Sequence, residues 1–457
     1  MHSGVLMTRF KTTKLLALGA ILLSGTTMAA QAADYTISVW AGGSGPADAY
    51  RWQAIEMAAD ILEREAEVRG EELNITIEEQ HTFDGWDNFK QAVTLAAEAG
   101  NAPHIIVTGH EDIGPWSQSG ILRPVEDYVD FDAWPLNQLY PNLVEVASYD
   151  GVVWGLPQDS ESRPFYFSRS HLAAIGYSEA DIDALPAKVL SGEYTLYSML
   201  DDVEKMQDAG LVEANKGFLP RTSNGPDYWQ FYQSFGGNLV DEATGKLLLD
   251  KAALTGMYQF FVDAVAMGVT SSTHLGSPGD SFTDAVISDK AGAWHAGTWS
   301  KPQWEAKGLE NFHEKVQATL IPAGNAEGRA NTITHPLVYL LSTTGTDEEA
   351  AIAAELITIA SEPRINTLHA IKSAHLAIGS EQVNVPLYAN DRWAAEATEN
   401  FLPYANAIPN NPEFGVYWTA MFKGLEASWT GVSSVEDAVK AVEAEVTSAI
   451  GDAIVVR

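Results

Sequence analysis

Tyr35-Thr-Ile-Ser-Val-Trp40, Leu73-Asn-Ile-Thr-Ile-Glu78 and His104-Ile-Ile-Val-Thr108 are three strand-like stretches near the start of the chain. The first alternates apolar and polar side chains, as a half-buried strand does, and the third is continuously apolar until its end. Two helical patterns separate them. One covers 48–68, with Trp52, Ile55, Ala59 and Leu62 on one face, and the other covers 86–99, with Gly100 placed to cap its C-terminus. A β-α-β-α-β alternation of this kind predicts an α/β fold with a mainly parallel sheet covered by helices on both faces.

Upstream of the first strand the pattern changes. Arg9, Lys11 and Lys14 form a basic head, an apolar run follows from Leu15 to Leu23, and Ala30-Gln31-Ala32 supplies small residues at a cleavage-site spacing. The apolar run is too short to span a bilayer, so residues 1–33 are read as a secretory signal. Met1 and Met7 are both possible starts. Cleavage after Ala32 or Ala33 leaves about 425 residues. The chain has no cysteine, so an exported form has no disulfides and depends on a large core, and no lipid can be attached through a cysteine thiol. A free protein of a Gram-negative periplasm is expected. That length exceeds what one core usually supports and predicts two lobes.

The leader carries three basic residues and no acidic one, so the exported chain holds 24 Lys+Arg against 61 Asp+Glu, a formal charge of −37. Such a field repels nucleic acid, and no basic patch interleaved with aromatics occurs. The acidity reads as a solubility feature and does not identify a ligand.

Farther along, helices are expected over 196–209, 252–267 and 435–450, and a strand at Val338-Tyr-Leu-Leu-Ser342. Thr346-Asp-Glu-Glu349 is a capping box opening a helix with Ile352, Leu356 and Ile359 aligned, and Pro363 ends it. No repeat, low-complexity tract or Pro-, Gly- or Ser-rich linker is present, so the lobes are not expected to be strung in series.

Several catalytic classes find little support. Gly42-Gly-Ser-Gly45 follows a strand and precedes a helix, but it lacks the ending of a P-loop and the spacing of a dinucleotide fingerprint. It is read as a turn that lets a ligand approach backbone N–H groups. His104 and His110 are six residues apart, as are His369 and His375; neither pair has a zinc spacing, and there is no HExxH. No metal or cofactor is expected. No GxSxG or thiol nucleophile occurs. The many carboxylates give glycoside-hydrolysing pairs no distinctive signal.

Polar and aromatic residues do recur together beyond strand ends. The clusters are His110-Glu-Asp112, Asp159-Ser-Glu-Ser-Arg163, Asn224-Gly-Pro-Asp-Tyr-Trp229, Trp294-His-Ala-Gly-Thr-Trp299, and Pro409-Asn-Asn-Pro412 ahead of Tyr417-Trp418. In open α/β sheets ligands bind beyond the carboxyl ends of the strands. Charged groups hydrogen-bond hydroxyls, and flat rings stack on the C–H faces of sugars, so together the clusters favour a polyhydroxylated ligand.

These segments resemble the extracellular solute-binding proteins of ABC sugar importers, the family that includes maltose-binding protein. The resemblance covers nearly the whole exported chain. It is carried by Ala102-Pro-His-Ile-Ile106, Ser119-Gly-Ile-Leu-Arg-Pro-Val125, Tyr149-Asp-Gly-Val-Val-Trp-Gly-Leu-Pro157, Ala291-Gly-Ala-Trp-His-Ala-Gly-Thr-Trp299, and Pro409-Asn-Asn-Pro412 with Trp418. The family usually has Asp where His104 stands.

The resemblance implies a periplasmic-binding-protein fold, two α/β lobes joined by three hinge crossovers with a ligand cleft between them. The crossovers fall near 157–162, 332–338 and 380–392. The N-terminal lobe would comprise 34–158 plus 338–382, and the C-terminal lobe 163–333 plus 390–457. By position, Ser44, His110, Glu111 and Asp112 would line the first lobe's wall, Glu161 would sit at the hinge, and Trp229, Trp299 and Trp418 would stack from the second lobe. Arg163 and His81 are added from loop position alone. The implied function is capture of a sugar, oligosaccharide or polyol by cleft closure and delivery to a membrane permease. The protein would be a monomer without enzyme activity, since ATP hydrolysis belongs to the transporter. A binding protein for a non-sugar solute and an exported glycan-active enzyme stay open as alternatives.

Overall fold

The computed structural model describes residues 33–43 and 48–457. The leader assignment therefore lies outside the described residues except for Ala33, which begins the first strand and pairs with Leu73. Ser44 also lies outside them.

The expected alternation forms the first sheet. Strand Ala33–Ala41 runs parallel to Leu73–Gln80 on one side and to Ile105–Gly109 on the other. Strand Leu337–Ser342 then joins the far edge of Ile105–Gly109 antiparallel, and itself pairs antiparallel with Leu122–Arg123 and Gly155–Pro157. The sheet is thus mixed rather than mainly parallel, because a strand arriving from far along the chain completes it. Helix Tyr50–Arg69 turns Ala54, Ile55, Ala58, Ala59 and Leu62 inward, and Gly70 ends it in a left-handed conformation (φ 78°). Helix Trp86–Glu98 ends at Ala99. Gly100 follows with positive φ and donates its N–H to the Ala97 carbonyl.

The second sheet has the order Val316–Thr319, Phe165–Ser168, Ala293–His295, Phe218–Leu219, with Phe165–Ser168 antiparallel to both neighbours and the last pair parallel. Helices Leu196–Asp208, Lys251–Ala266 and Val435–Ile450 cover this lobe within a residue of their expected bounds. The capping box forms as read: Thr346 Oγ1 accepts the Glu349 N–H and Glu349 Oε2 accepts the Thr346 N–H. Helix Asp347–Ala360 ends before Pro363, which also opens helix Pro363–Ser373, since proline's missing N–H costs nothing in a first turn.

Two large apolar clusters hold these layers. One gathers Ile37, Val39, Ile55, Leu62, Ile105, Leu156, Leu341 and Ile357. The other is aromatic, with Phe165, Phe218, Phe231, Phe260, Phe261 and Trp429. Each fully buried side chain of this size contributes roughly 1.5–3 kcal/mol, which supplies the stability that a chain without disulfides needs. Segment 158–163 runs between the clusters. Its backbone bonds to Leu337 and, through the hydroxyls of Thr334 and Thr332, to the 332–337 stretch, while Ser160 bridges to Leu376. Among the described residues no helix is long and apolar enough to cross a membrane.

Candidate functional site

A cavity of about 530 Å³ opens between the two clusters. Asp48, Arg51, Trp86, Asp87, Lys90 and Glu111 line it from the first sheet's side; Arg221, Asn224, Pro226, Trp299 and Gln303 line it from the second; Glu161, Arg163, His335, Ser373 and His375 form its floor near the crossing segments. Its size lies within the roughly 300–1,000 Å³ usual for small-molecule sites.

The carboxyl end of strand Ile105–Gly109 delivers Glu111 to the wall, as expected for an open α/β sheet. Its carboxylate accepts from Lys90 Nζ (2.5 Å) and faces His335 Nε2 (2.6 Å). Burial alone would raise this carboxyl, but His335 and Lys90 outweigh it and hold it well below the usual range. Asp112 points the other way. It accepts from Thr108 Oγ1 (2.6 Å) and pairs with Lys90 (2.8 Å), yet burial pushes its carboxyl up to about 6.

On the floor, Arg163 donates to Glu161 Oε1 (2.8 and 3.0 Å) and to Asp227 Oδ2 (2.6 Å), and Arg221 adds a second bond to Asp227 (3.0 Å). Burial would raise Asp227, but the two guanidinium groups outweigh it and hold it well below the usual range. Burial prevails at Glu161 and raises its carboxyl to about 7 despite Arg163. The Arg163 guanidinium also lies 4.9 Å from the Trp299 ring centroid, and His375 stacks parallel to that ring at 5.7 Å.

Two tryptophans thus face the cavity from opposite lobes. Trp86 is 38% exposed, with Arg51 over its ring at 5.5 Å. Each ring lies on a glycine: a Cβ at Gly42 would meet Trp86, and one at Gly297 would meet Trp299, both at 2.1 Å. Gly42 therefore admits a tryptophan ring, and Arg51 donates to its carbonyl; Ser44 and Gly45 of the same turn lie outside the described residues.

Of the residues singled out from sequence, Glu111, Glu161, Arg163 and Trp299 line the cavity. His110 is buried behind Glu111, its Nδ1 2.6 Å from Asn410 Oδ1 and its ring edge-on to His335. Burial, with His335 beside it, lowers His110 to about 3, so it stays neutral. Asp112 is likewise behind the wall. His81 sits away from the cavity, hydrogen-bonded to Glu79 (2.7 Å) and against Trp52. Trp229 is not a stacking surface. Chain beyond Pro226 coils into helix Asp227–Ser234, every residue of which is buried, and Trp229 is wedged between Phe414 (4.0 Å) and Trp418 (4.5 Å). Trp418 is also buried and reaches the site only indirectly, donating its indole N–H to Asn224 Oδ1 (2.6 Å).

Sequence reading missed Trp86, Arg51, Lys90 and His335. It also saw no reason to join His369 to His375, yet Asp159 meets both, at 3.3 and 3.5 Å. The sequence signal for Trp86 is its place just after His81-Thr-Phe-Asp-Gly85, a polar and aromatic stretch beyond the end of strand Leu73–Gln80.

A family model described as "Bacterial extracellular solute-binding protein" matches residues 59–363. A maltotriose-binding protein of Pyrococcus abyssi is 20% identical over 337 residues, 74% of this chain and 68% of that protein. Solved structures share the fold. A maltose-bound MalE3 of T. maritima superposes with a TM-score of 0.72 at 17% identity, covering 91% of this chain and 99% of that one. The GacH receptor of Streptomyces glaucescens, solved unliganded and with acarbose, gives 0.73 at 16% identity over 92% and 99%. A solute-binding protein of Thermotoga lettingae bound with α-D-tagatose gives 0.69 at 19% identity over 90% and 98%.

Proposed function

Because this chain belongs to the bacterial extracellular solute-binding proteins, we propose that it is the periplasmic, monomeric binding component of an ABC importer for a neutral carbohydrate. The cargo is a sugar, short oligosaccharide or polyol. The lobes, 34–158 plus 338–382 and 163–333 plus 390–457, close on it about the three crossovers and present it to the permease. Like the rest of its family it works outside the cytoplasm and binds a solute rather than transforming it.

The cavity's composition carries this reading. Trp86 and Trp299 line the cavity from opposite lobes, and Glu111, Glu161, Asn224 and Gln303 offer hydrogen-bonding groups between them. Bonds from charged groups to hydroxyls contribute roughly 1.5–3 kcal/mol each. The cations that line the site are already matched: Arg51 with Asp48, Lys90 with Glu111 and Asp112, Arg163 with Glu161 and Asp227, Arg221 with Asp227. A strongly anionic ligand would have to displace a carboxylate, which favours a neutral one. Relatives described as binding maltotriose, maltose, acarbose and tagatose point the same way.

Closure follows from population shift. A ligand with contacts on both lobes stabilises the closed form by its differential affinity for it. The test is a thermal-stability screen of the exported chain against mono-, di- and trisaccharides, polyols and sugar acids, since a ligand that binds only the native state raises Tm by mass action. A saturable rise with one neutral class, lost in Trp299→Ala, is expected. A rise with sugar acids alone, or with none of these compounds, would refute the reading.

A further inference from the structure

Asp159, His369 and His375 form a buried cluster at the floor of the cleft, and of the three only His375 lines the cavity. His369 Nε2 lies 3.3 Å and His375 Nε2 3.5 Å from the same atom, Asp159 Oδ2. One ligand-type atom from each of the three residues falls within 4.8 Å of the other two. The hydrogen bonds around them set the tautomer of His375. Ser373 Oγ has one proton, and it goes to the His369 carbonyl (2.7 Å), which can only accept. Ser373 Oγ therefore accepts from His375 Nδ1 (2.7 Å). In the neutral ring that leaves the His375 Nε2 lone pair directed at a carboxylate oxygen. The other oxygen of Asp159 is held by the Leu337 N–H (2.8 Å), which turns Oδ2 toward the imidazoles. His369 Nε2 reaches the same oxygen and also lies 3.3 Å from Ser373 Oγ, so one cation placed among Asp159 Oδ2 and the two Nε2 atoms would satisfy all three lone pairs.

We propose that Asp159 Oδ2, His369 Nε2 and His375 Nε2 bind one divalent transition-metal ion of the zinc class. The spacing suits it. Ligands about 2.0–2.2 Å from a tetrahedral ion lie about 3.3 Å apart, and the two measured edges are 3.3 and 3.5 Å. The surrounding bonds are those a metal ligand needs: Ser373 orients His375, and the Leu337 backbone orients Asp159. Access exists, because Ser373 and His375 line the cleft, and water entering there completes the coordination. Arg51, the cation whose field reaches all three side chains, is paired with Asp48 at 2.8 Å. The ion would tie segment 158–163 to the turn after helix Pro363–Ser373, and would hold the His375 ring on which Trp299 stacks.

The test uses the whole exported chain, stripped with a chelator. Co²⁺ is titrated while visible absorption is followed, and Zn²⁺ binding is measured by calorimetry. Intense d–d bands saturating at one equivalent and displaced by Zn²⁺ are expected, as is a loss of Zn²⁺ affinity of at least two orders of magnitude in His369→Gln and Asp159→Asn. The many surface carboxylates would give only the weak bands of oxygen-ligated Co²⁺. Weak bands alone, or a folded His369→Gln variant that keeps full Zn²⁺ affinity, would overturn the proposal and leave a proton on Asp159 as the positive centre. If the variants do not fold, the wild-type Co²⁺ spectrum decides.

Discussion

Replacing Asp227 with alanine tests the electrostatics beneath the cleft. Its carboxylate, 3% exposed, is shared by Arg163 at 2.6 Å and Arg221 at 3.0 Å. Removing it leaves the buried Arg163 guanidinium with Glu161 alone, whose carboxyl burial pushes toward its neutral form. Breaking one side of a buried ion pair costs about 3–5 kcal/mol. For a chain of this length the unfolding entropy is about 0.9 kcal/mol per kelvin, so Tm should fall by about 3–6 °C. Scanning calorimetry at pH 7 reads this directly. The sign with pH is fixed too. Burial would raise Asp227, but Arg163, Arg221 and His295 outweigh it and hold the carboxyl below its unfolded value. Its stabilisation is therefore complete above about pH 4 and is lost as pH falls further. The gap between wild type and Asp227→Ala should narrow in that acid range. Adding Arg163→Met to Asp227→Ala should recover part of the loss, because the uncompensated charge is gone. A loss under about 1 kcal/mol at pH 7, or strictly additive single and double variants, would refute the reasoning.

Other perturbations follow from the same geometry. Trp86→Ala should weaken carbohydrate binding about 10-fold, near 1.4 kcal/mol, without changing Tm of the unliganded chain by more than a degree or two; calorimetric titration checks it. Asn410→Ala removes bonds to His110 Nδ1 and to the Val146 and Ser148 carbonyls, and urea unfolding should show a loss of about 1–3 kcal/mol. Asp112 is raised to about 6 by burial, so its contribution is present below its unfolded value and lost as pH rises through about 6. The Tm of Asp112→Asn relative to wild type should therefore improve from pH 5 to pH 7.5, and the opposite slope would contradict the assignment. Thr346→Ala deletes the capping-box hydroxyl and should cost about 1 kcal/mol in chemical unfolding.

What the sequence disclosed was local in origin. Strands at Tyr35–Trp40 and Leu73–Glu78, the capping box at Thr346 and the terminal helix each follow from periodicity or from residues three positions apart. Glu111 and Trp299 were legible because they follow apolar strands whose carboxyl ends face the cleft. Trp229 misled, since its Gly- and Pro-containing approach resembles a loop although Pro226 leads straight into a buried helix. The antiparallel arrival of Leu337–Ser342 depends on pairing with strands more than two hundred residues upstream, which no local pattern encodes. The same holds for Asp159 and His369, which are 210 positions apart and meet only because the chain crosses between the lobes there.

The most direct measurement of the central claim is a crystal structure of the exported chain with the sugar that stabilises it most. One sugar molecule in the cavity between Trp86 and Trp299, hydrogen-bonded to Glu111 and to residues of the second lobe, is the predicted result. Sugar bound elsewhere, with that cavity empty, would contradict it.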